Sequence, residues 1–396
     1  MKFGNAALPL PLLWSSPFVR WQGSLADVSS LDLAAAVTGD ALAQRAVARA
    51  AIARIVIGLT IPPPNSFYAA PWLASRLGLP GISGPLIAQA CATSVACIVA
   101  AAAEVEADAQ ALPLVVATDR TSNGPLLVYP RSQGMGGSPA TEHWVLDNFA
   151  ADPNTGQAMV ATAENVARDG AMSRAALDEL TLLRWQQYQS ALADDRSFQR
   201  RYLQPVVLPR GNGKTLRVDA DEGVHPSTAE GLGSLRPVTE GGVVTFGSQT
   251  HPADGCAGAL VASVDRAASL AKGQGVVRLL SAAFARAGKA QMPKAATSAA
   301  QQALAEAGLR IEDVRLVTSH NPFAVNDLWF HQQTGFPLER MNPFGCSLIY
   351  GHPQGPTGLR GIVELAHALQ RAGGGFGVFT GCAAGDTGAA IVLRVD

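Results

Sequence analysis

The stretch Gly84–Glu104, GPLIAQACATSVACIVAAAAE, decides how the chain is read. Gly84 and Pro85 open it as a loop. From Cys91 to Glu106 an Ala-rich run free of Gly and Pro reads as a helix. Before it, IVIGL (55–59) reads as a buried strand; after it, LPLVVAT (112–118) reads as the next. Strand, loop, helix and strand in close succession indicate an α/β core. The same region raises one other reading, because Leu77–Ala103 carries no charge and is long enough to suggest a membrane span. However, Gly78, Pro80, Gly81, Gly84 and Pro85 break its first part, and Gln89, Thr93 and Ser94 interrupt the rest. A loop entering a fully buried helix fits better, and no membrane partner is expected.

Working outward, Leu31–Ala53 has few breakers and reads as a helix. From Asp119 to Gly247 the character changes, with polar helices expected at 162–168 and 173–194 between Gly/Pro-rich loops. GVVTFGS (242–248) and CAGALVAS (256–263) return to strand-like sequence of small residues. From about Lys272 the earlier pattern repeats: a helix at 296–307, a strand at 313–319, a glycine-rich loop, a helix at 358–371, then the strands VFTGC and GAAIVLRV. The expected division is therefore 1–118 and 248–271 for a first half, 119–247 for an insertion and 272–396 for a second half. A duplication of this kind allows a site to form where the halves meet.

Composition bounds the function. Of 396 residues, 48% are hydrophobic and 15% charged, which excludes a disordered chain and permits large cores. The formal net charge of −1 offers no global attraction to nucleic acid, and no nucleic-acid partner is expected. Five cysteines without CxxC pairs fit free thiols in a reducing cytoplasm and no metal site. The opening MKFGNAALPLPLLWSS has one Lys, and Pro9 and Pro11 break its apolar stretch, so it does not read as a signal peptide.

Three loops hold the residues with chemistry. Cys91 is expected at a helix N-terminus, where unpaired N–H groups and the helix dipole favour the nucleophilic thiolate. Cys97, two turns on, and Cys256 and Cys346, among small residues, read as packing cysteines. His352 lies in YGHPQGPTG (350–358), where glycines allow close approach to a ligand and an imidazole can accept a thiol proton. Cys382 lies in TGCAAGDTG (380–388), a tight loop able to present a thiol and backbone N–H donors. His320 and Asn321 end a buried strand, a common position for site residues in α/β folds.

Taken together these segments resemble the thiolase family over almost the whole chain. PFVRWQGSLAD resembles the family's opening, AQACATS its nucleophile segment, and TSNGP (121–125) its Met-Ser-Asn-x-Pro. MVATAENVARDGAMSR (159–174) resembles its Thr-Ala-Glu-Asn helix, and VVTFGSQTHPADGCAGALV its return to the core. YGHPQGPTG and GCAAGDTGAA resemble its two C-terminal signatures. The resemblance implies duplicated βαβαβαββ halves, a five-layered α-β-α-β-α core and an inserted loop domain that binds coenzyme A. It implies that Cys91 attacks the keto carbonyl of a 3-oxoacyl-CoA while His352 takes its proton. Cys382 would then protonate the departing acetyl-CoA carbanion, and a second coenzyme A would collect the acyl group. His352 and His320 would form one oxyanion hole, and the N–H groups of Cys91 and Ala384 the other. No permanently bound cofactor is implied, since coenzyme A is a substrate. A homodimer or homotetramer is implied, with a small accessory subunit as a further possible partner, and a place in fatty acid or aromatic acid metabolism.

Several positions depart from the family pattern. His320-Asn321-Pro322-Phe323 stands where most thiolases have Asn-Glu-Ala-Phe, nearer to the sterol-carrier-type thiolases. Ser248-Gln249-Thr250-His251 replaces Asn-Ala-Ser-Gly; Ser248 and Thr250 are expected at the coenzyme, Thr250 at the pantetheine. His225 stands where an adenine-stacking Arg is usual, and Ala158 replaces a His found in many acetoacetyl-specific members, which favours a larger or branched acyl group. Two further readings stay open: Claisen condensation in the reverse direction, and a weakly active thiolase-like subunit that needs a partner. A ketoacyl synthase fits less well, because that group lacks the second cysteine.

Overall fold

The computed structural model describes residues 1–131 and 133–396. Two six-stranded sheets form the core. The first runs Leu13–Ser15, Ala253–Leu260, Pro113–Arg120, Arg54–Gly58, Leu86–Ile87, with Val19–Arg20 also paired to Ala253–Leu260. The second runs Ala262–Ser263, Ala6–Pro9, Val276–Arg286, Thr387–Val395, Gly375–Ala383, Val314–His320. Arg54–Gly58 is parallel to its neighbours, and Val314–His320 is parallel to Gly375–Ala383.

Helices Thr93–Ala107 and Thr357–Arg371 lie between the sheets, and residues of both helices and both sheets share one apolar core. Helices Ser30–Gln44 and Ala69–Arg76 cover the outside of the first sheet, and Met292–Ala307 covers the second. The result is five layers, α-β-α-β-α. The uncharged run that could pass for a membrane span thus ends in a core helix, with Val95, Cys97, Ile98, Ala101, Ala102 and Val105 buried. Its small side chains let the layers approach. Gly361 does the same on the companion helix, where a Cβ would stand 2.6 Å from the Phe379 ring.

Several elements differ from the sequence expectation. The first helix ends at Gln44 rather than Ala53, because Arg45 caps it and Ala46 turns left-handed (φ 52°). GVVTFGS is a loop, not a strand: the Val243 and Val244 N–H groups donate to the Glu164 carboxylate at 2.8–3.0 Å instead of to a neighbouring strand. Ala6–Pro9 and Ala262–Ser263, which belong to the first half in sequence, pair into the second half's sheet. The halves are thus interlocked as well as stacked. The segment 119–247 carries helices Met159–Asp169 and Arg174–Arg196 and two short hairpins.

The insertion is tied to the core by a buried ion network. Arg360, on the central helix, pairs with Asp221 of the insertion at 2.6 Å and with Glu364 at 2.9 Å, all almost without exposure. Tyr202 and Tyr350 hydroxyls donate to Glu364, and the Phe18 N–H and Tyr188 hydroxyl donate to Asp221. Every charge in the network is met by an opposite charge or a donor, the condition under which buried ions are tolerated.

Candidate active site

Cys91 sits two residues ahead of helix Thr93–Ala107, not at its first turn as expected; Ala92 is the N-cap. Ala90 takes a left-handed conformation (φ 45°), and the Thr93 side chain staples the bend by accepting from Gln89 N–H and donating to the Ala90 carbonyl. This bend turns the Cys91 thiol toward the loop Gly351–Pro356 of the other half. Cys91 Sγ lies 3.1 Å from His352 Nε2 and 3.4 Å from Gln354 Oε1. The opposite ring nitrogen of His352 is 2.6 Å from Thr357 Oγ1. A proton on Nδ1, donated to Thr357, leaves Nε2 free to accept from the thiol.

Burial reverses the expected charge state. It pushes the Cys91 thiol up to about 12, against the backbone N–H groups of Ala384 and of Cys91 itself, which face the sulfur and lower it. Burial and the neighbouring His320 drive His352 well below the ordinary imidazole value. Cys91 and His352 therefore rest as a neutral thiol and a neutral imidazole rather than as an ion pair.

His320 stacks on His352 with ring centroids 4.0 Å apart, and its Nδ1 lies 2.9 Å from Ser347 Oγ. Its Nε2 is buried without a partner, and burial lowers its pKa to about 3. Cys91, His320 and His352 place one sulfur and two ring nitrogens within 4.8 Å of one another. Cys382 completes the group from the second half. Asn326 Nδ2 donates to its sulfur at 3.2 Å, while burial and the nearby Cys91 push its pKa well up.

Cys91, His352, Cys382 and Ala384 all line one cavity of about 260 Å³, whose walls include Phe149, Ala158, Met159, Val160 and Met292. His320 is almost without exposure and stacks on His352, with a ring nitrogen within 4.8 Å of the Cys91 sulfur. Gln249, Thr250 and Pro252 also border a second groove of about 430 Å³, which His225, Arg20, Trp21, Phe246 and His251 line. Thr250 donates its hydroxyl proton to the Ser347 carbonyl at 2.5 Å, leaving its oxygen as an acceptor. Ser248 does not reach either cavity. It is fully buried, its hydroxyl accepting from Thr245 N–H at 2.9 Å within a turn. The expectation that it contacts the coenzyme is corrected accordingly.

These positions set a nucleophile, a base, a second thiol and convergent N–H donors around one cleft between two duplicated halves, and the family signatures follow the same division. Residues 14–265 match the description "Thiolase, N-terminal domain", and residues 273–395 match "Thiolase, C-terminal domain". The chain belongs to the thiolase family. Over 381 residues it is 28% identical to an acetyl-CoA acetyltransferase of Chromobacterium violaceum, spanning 94% of this chain and 95% of that one. Over 241 residues it is 34% identical to a peroxisomal 3-ketoacyl-CoA thiolase A of Mus musculus, spanning 59% of this chain and 56% of that one. A Bacillus anthracis acetyl-CoA acetyltransferase shares the fold at a TM-score of 0.90 over the full length of both chains, with 22% identity.

Within this thiolase fold several contributors escaped the sequence reading. Asn326 is in the first turns of helix Ala324–Thr334, a few residues past the conspicuous His320-Asn321 pair. Asp119 ends a buried strand and accepts from Thr60 N–H, Thr60 Oγ1, Ile61 N–H and Gly355 N–H at 2.7–2.9 Å, so it clamps the His352 loop to the first half. Gly355 is required there, since a Cβ would stand 2.6 Å from Asp119 Oδ2. The one available signal was a lone acid closing the apolar run LPLVVAT. Ser94 also donates to the Gly355 carbonyl, a second tie between the same loops.

Proposed function

We propose that the chain cleaves a 3-oxoacyl-CoA by thiolysis, releasing acetyl-CoA and a shortened acyl-CoA through a thioester on Cys91. The observation that carries this reading is the 3.1 Å approach of Cys91 Sγ to His352 Nε2 in a cavity that also holds Cys382. The neutral resting pair makes His352 a general base. As the sulfur attacks the keto carbon, its proton moves to Nε2, and the imidazolium that forms is then next to the new oxyanion. His320 Nε2 supplies a further donor when the Ser347 hydroxyl donates to its Nδ1. The carbon–carbon bond breaks, and the Cys382 thiol protonates the acetyl-CoA enolate. The Cys382 thiolate then takes the thiol proton of the incoming coenzyme A, whose sulfur attacks the acyl-Cys91; the Cys91 sulfur leaves and regains its proton from the His352 imidazolium. Through this second step the N–H groups of Cys91 and Ala384 hold the thioester oxygen.

Coenzyme A fits across the junction at Thr250, with its pantetheine in the deep cavity and its nucleotide in the groove beside His225. Apolar walls and Ala158 favour an acyl group larger than acetoacetyl, as in fatty acid or aromatic acid metabolism. The same residues run in reverse give a Claisen condensation, in which Cys382 removes the α-proton of acetyl-CoA. A cytoplasmic homodimer or homotetramer, with a small accessory subunit in some settings, completes the reading. No metal or resident cofactor is assigned a step.

The deciding experiment incubates the purified chain with 3-oxoacyl-CoAs of graded acyl size and coenzyme A, and follows the intact mass. An acyl adduct confined to Cys91 is expected, and turnover that survives Cys91→Ala would sink the mechanism.

A further inference from the structure

A cavity of about 710 Å³ lies away from the catalytic cleft, shares no lining residue with it or with the coenzyme groove, and is bordered by Arg45, Arg200, Arg201, Lys272 and His367. His367 is on helix Thr357–Arg371, ten residues beyond its start, so the helix rise sets it roughly 15 Å from the catalytic end. No Asp or Glu lines the cavity.

Three of its four cations carry no counter-charge among the described residues. Arg45 donates to the Pro11 carbonyl at 3.0 Å and to Gln204 Oε1 at 2.9 Å; Arg201 donates to Gln370 Oε1 at 3.3 Å. Arg200 pairs with Asp195, whereas Arg45, Arg201 and Lys272 have no carboxylate partner among the described residues. His367 is 4% exposed, stacks on Tyr202 and leaves both ring nitrogens without a partner. A buried polar group without a partner is destabilising unless something meets it. Burial and the Arg201 and Arg45 charges lower its pKa to about 3, so the ring offers a neutral N–H rather than a further charge.

We propose that this cavity binds a small diphosphate-bearing anion. Three cations without a counter-charge suit two linked phosphate groups better than one, and guanidinium forks match phosphate oxygens in pairs. The His367 N–H is the donor that the anion would satisfy. A free diphosphate and a nucleoside diphosphate present the same group, and the cavity has room for either.

Calorimetric titration of the full chain with inorganic pyrophosphate and, separately, ADP tests this. Wild type should bind one equivalent. Arg201→Gln/Lys272→Gln, which changes two exposed side chains, should lower the affinity at least tenfold while leaving thiolysis unchanged. His367→Asn should weaken binding of pyrophosphate further than any shift in its melting curve without ligand accounts for. Tighter binding of ADP would identify a nucleotide; equal binding would identify the free diphosphate. The proposal is overturned if neither ligand binds to wild type, if the double variant binds like wild type, or if the distant Arg310→Gln weakens binding as much.

Discussion

At the scale of single residues, the neutral state of the Cys91–His352 pair is the property most open to measurement. With the thiol at about 12 and the imidazole depressed, the thiolate fraction grows tenfold per pH unit through the working range. Alkylation of Cys91 by iodoacetamide should therefore keep accelerating from pH 6 to pH 10 with no plateau. A plateau below pH 7 would mean a preformed thiolate–imidazolium pair. His352→Asn removes the proton acceptor and should slow acylation by roughly 10²–10⁴. Asn326→Ala removes the donor at 3.2 Å from Cys382, and one such bond to a charged sulfur corresponds to about tenfold in rate. Thiolysis should slow by that factor, and so should acyl transfer onto Cys91 from a simple acyl-CoA, which reverses the coenzyme A step, while alkylation of Cys91 by iodoacetamide stays intact, a split that intact mass and steady-state rates resolve. Cys91, His352 and Cys382 were legible because each stands in a loop of small residues with its own signature. Their charge state was not, because helix position is visible in sequence whereas burial between two halves is not. Ser248 misled for a similar reason: sequence registers a hydroxyl, and the turn with Thr245 decides which way it faces.

At the scale of elements, the strongest local device is Glu164 on helix Met159–Asp169. Its carboxylate takes the N–H groups of Val243 and Val244 and so turns a strand-like run into the loop that leads to Thr250. Apolar alternation alone pointed to a strand there, because the competing acceptor comes from a helix far back in the chain. Glu164→Ala leaves two amides without their acceptor and should cost about 2–3 kcal/mol in thermal or urea unfolding. It should also raise the KM for coenzyme A more than it lowers kcat. Glu164→Gln, which keeps one acceptor oxygen, should lose less. The second-half elements that were expected lie within a few residues of their places, because each run has a single period and ends in glycine or a charged turn, but strand Val276–Arg286 and helix Ala324–Thr334 were not read.

At the scale of the whole molecule, Arg360 joins the insertion to the central layer. Removing it strands Asp221 and Glu364 in the interior, and breaking a buried pair in this way costs about 3–5 kcal/mol. Arg360→Met should accordingly lower the urea midpoint sharply. If stability is unchanged, the network is not what fastens the insertion. The repeated strand–helix pattern pointed to two similar α/β halves and the family resemblance implied their layer order, whereas neither showed the interlocking of the halves. Ala6–Pro9 crosses to the second sheet by way of the short turn Leu10–Leu12, and no composition shift marks the exchange.

Thr387–Val395 lies between Val276–Arg286 and Gly375–Ala383, inside the second sheet rather than at its rim. A ribosome delivers Cys91 long before it delivers that strand. Until the strand slots in, the sheet has a gap, and the loop holding Cys382 and Ala384 has nothing on its far side. A nascent chain halted before Thr387 thus carries its nucleophile but no finished pocket, so the thiol stays idle until that strand has been made and set in place.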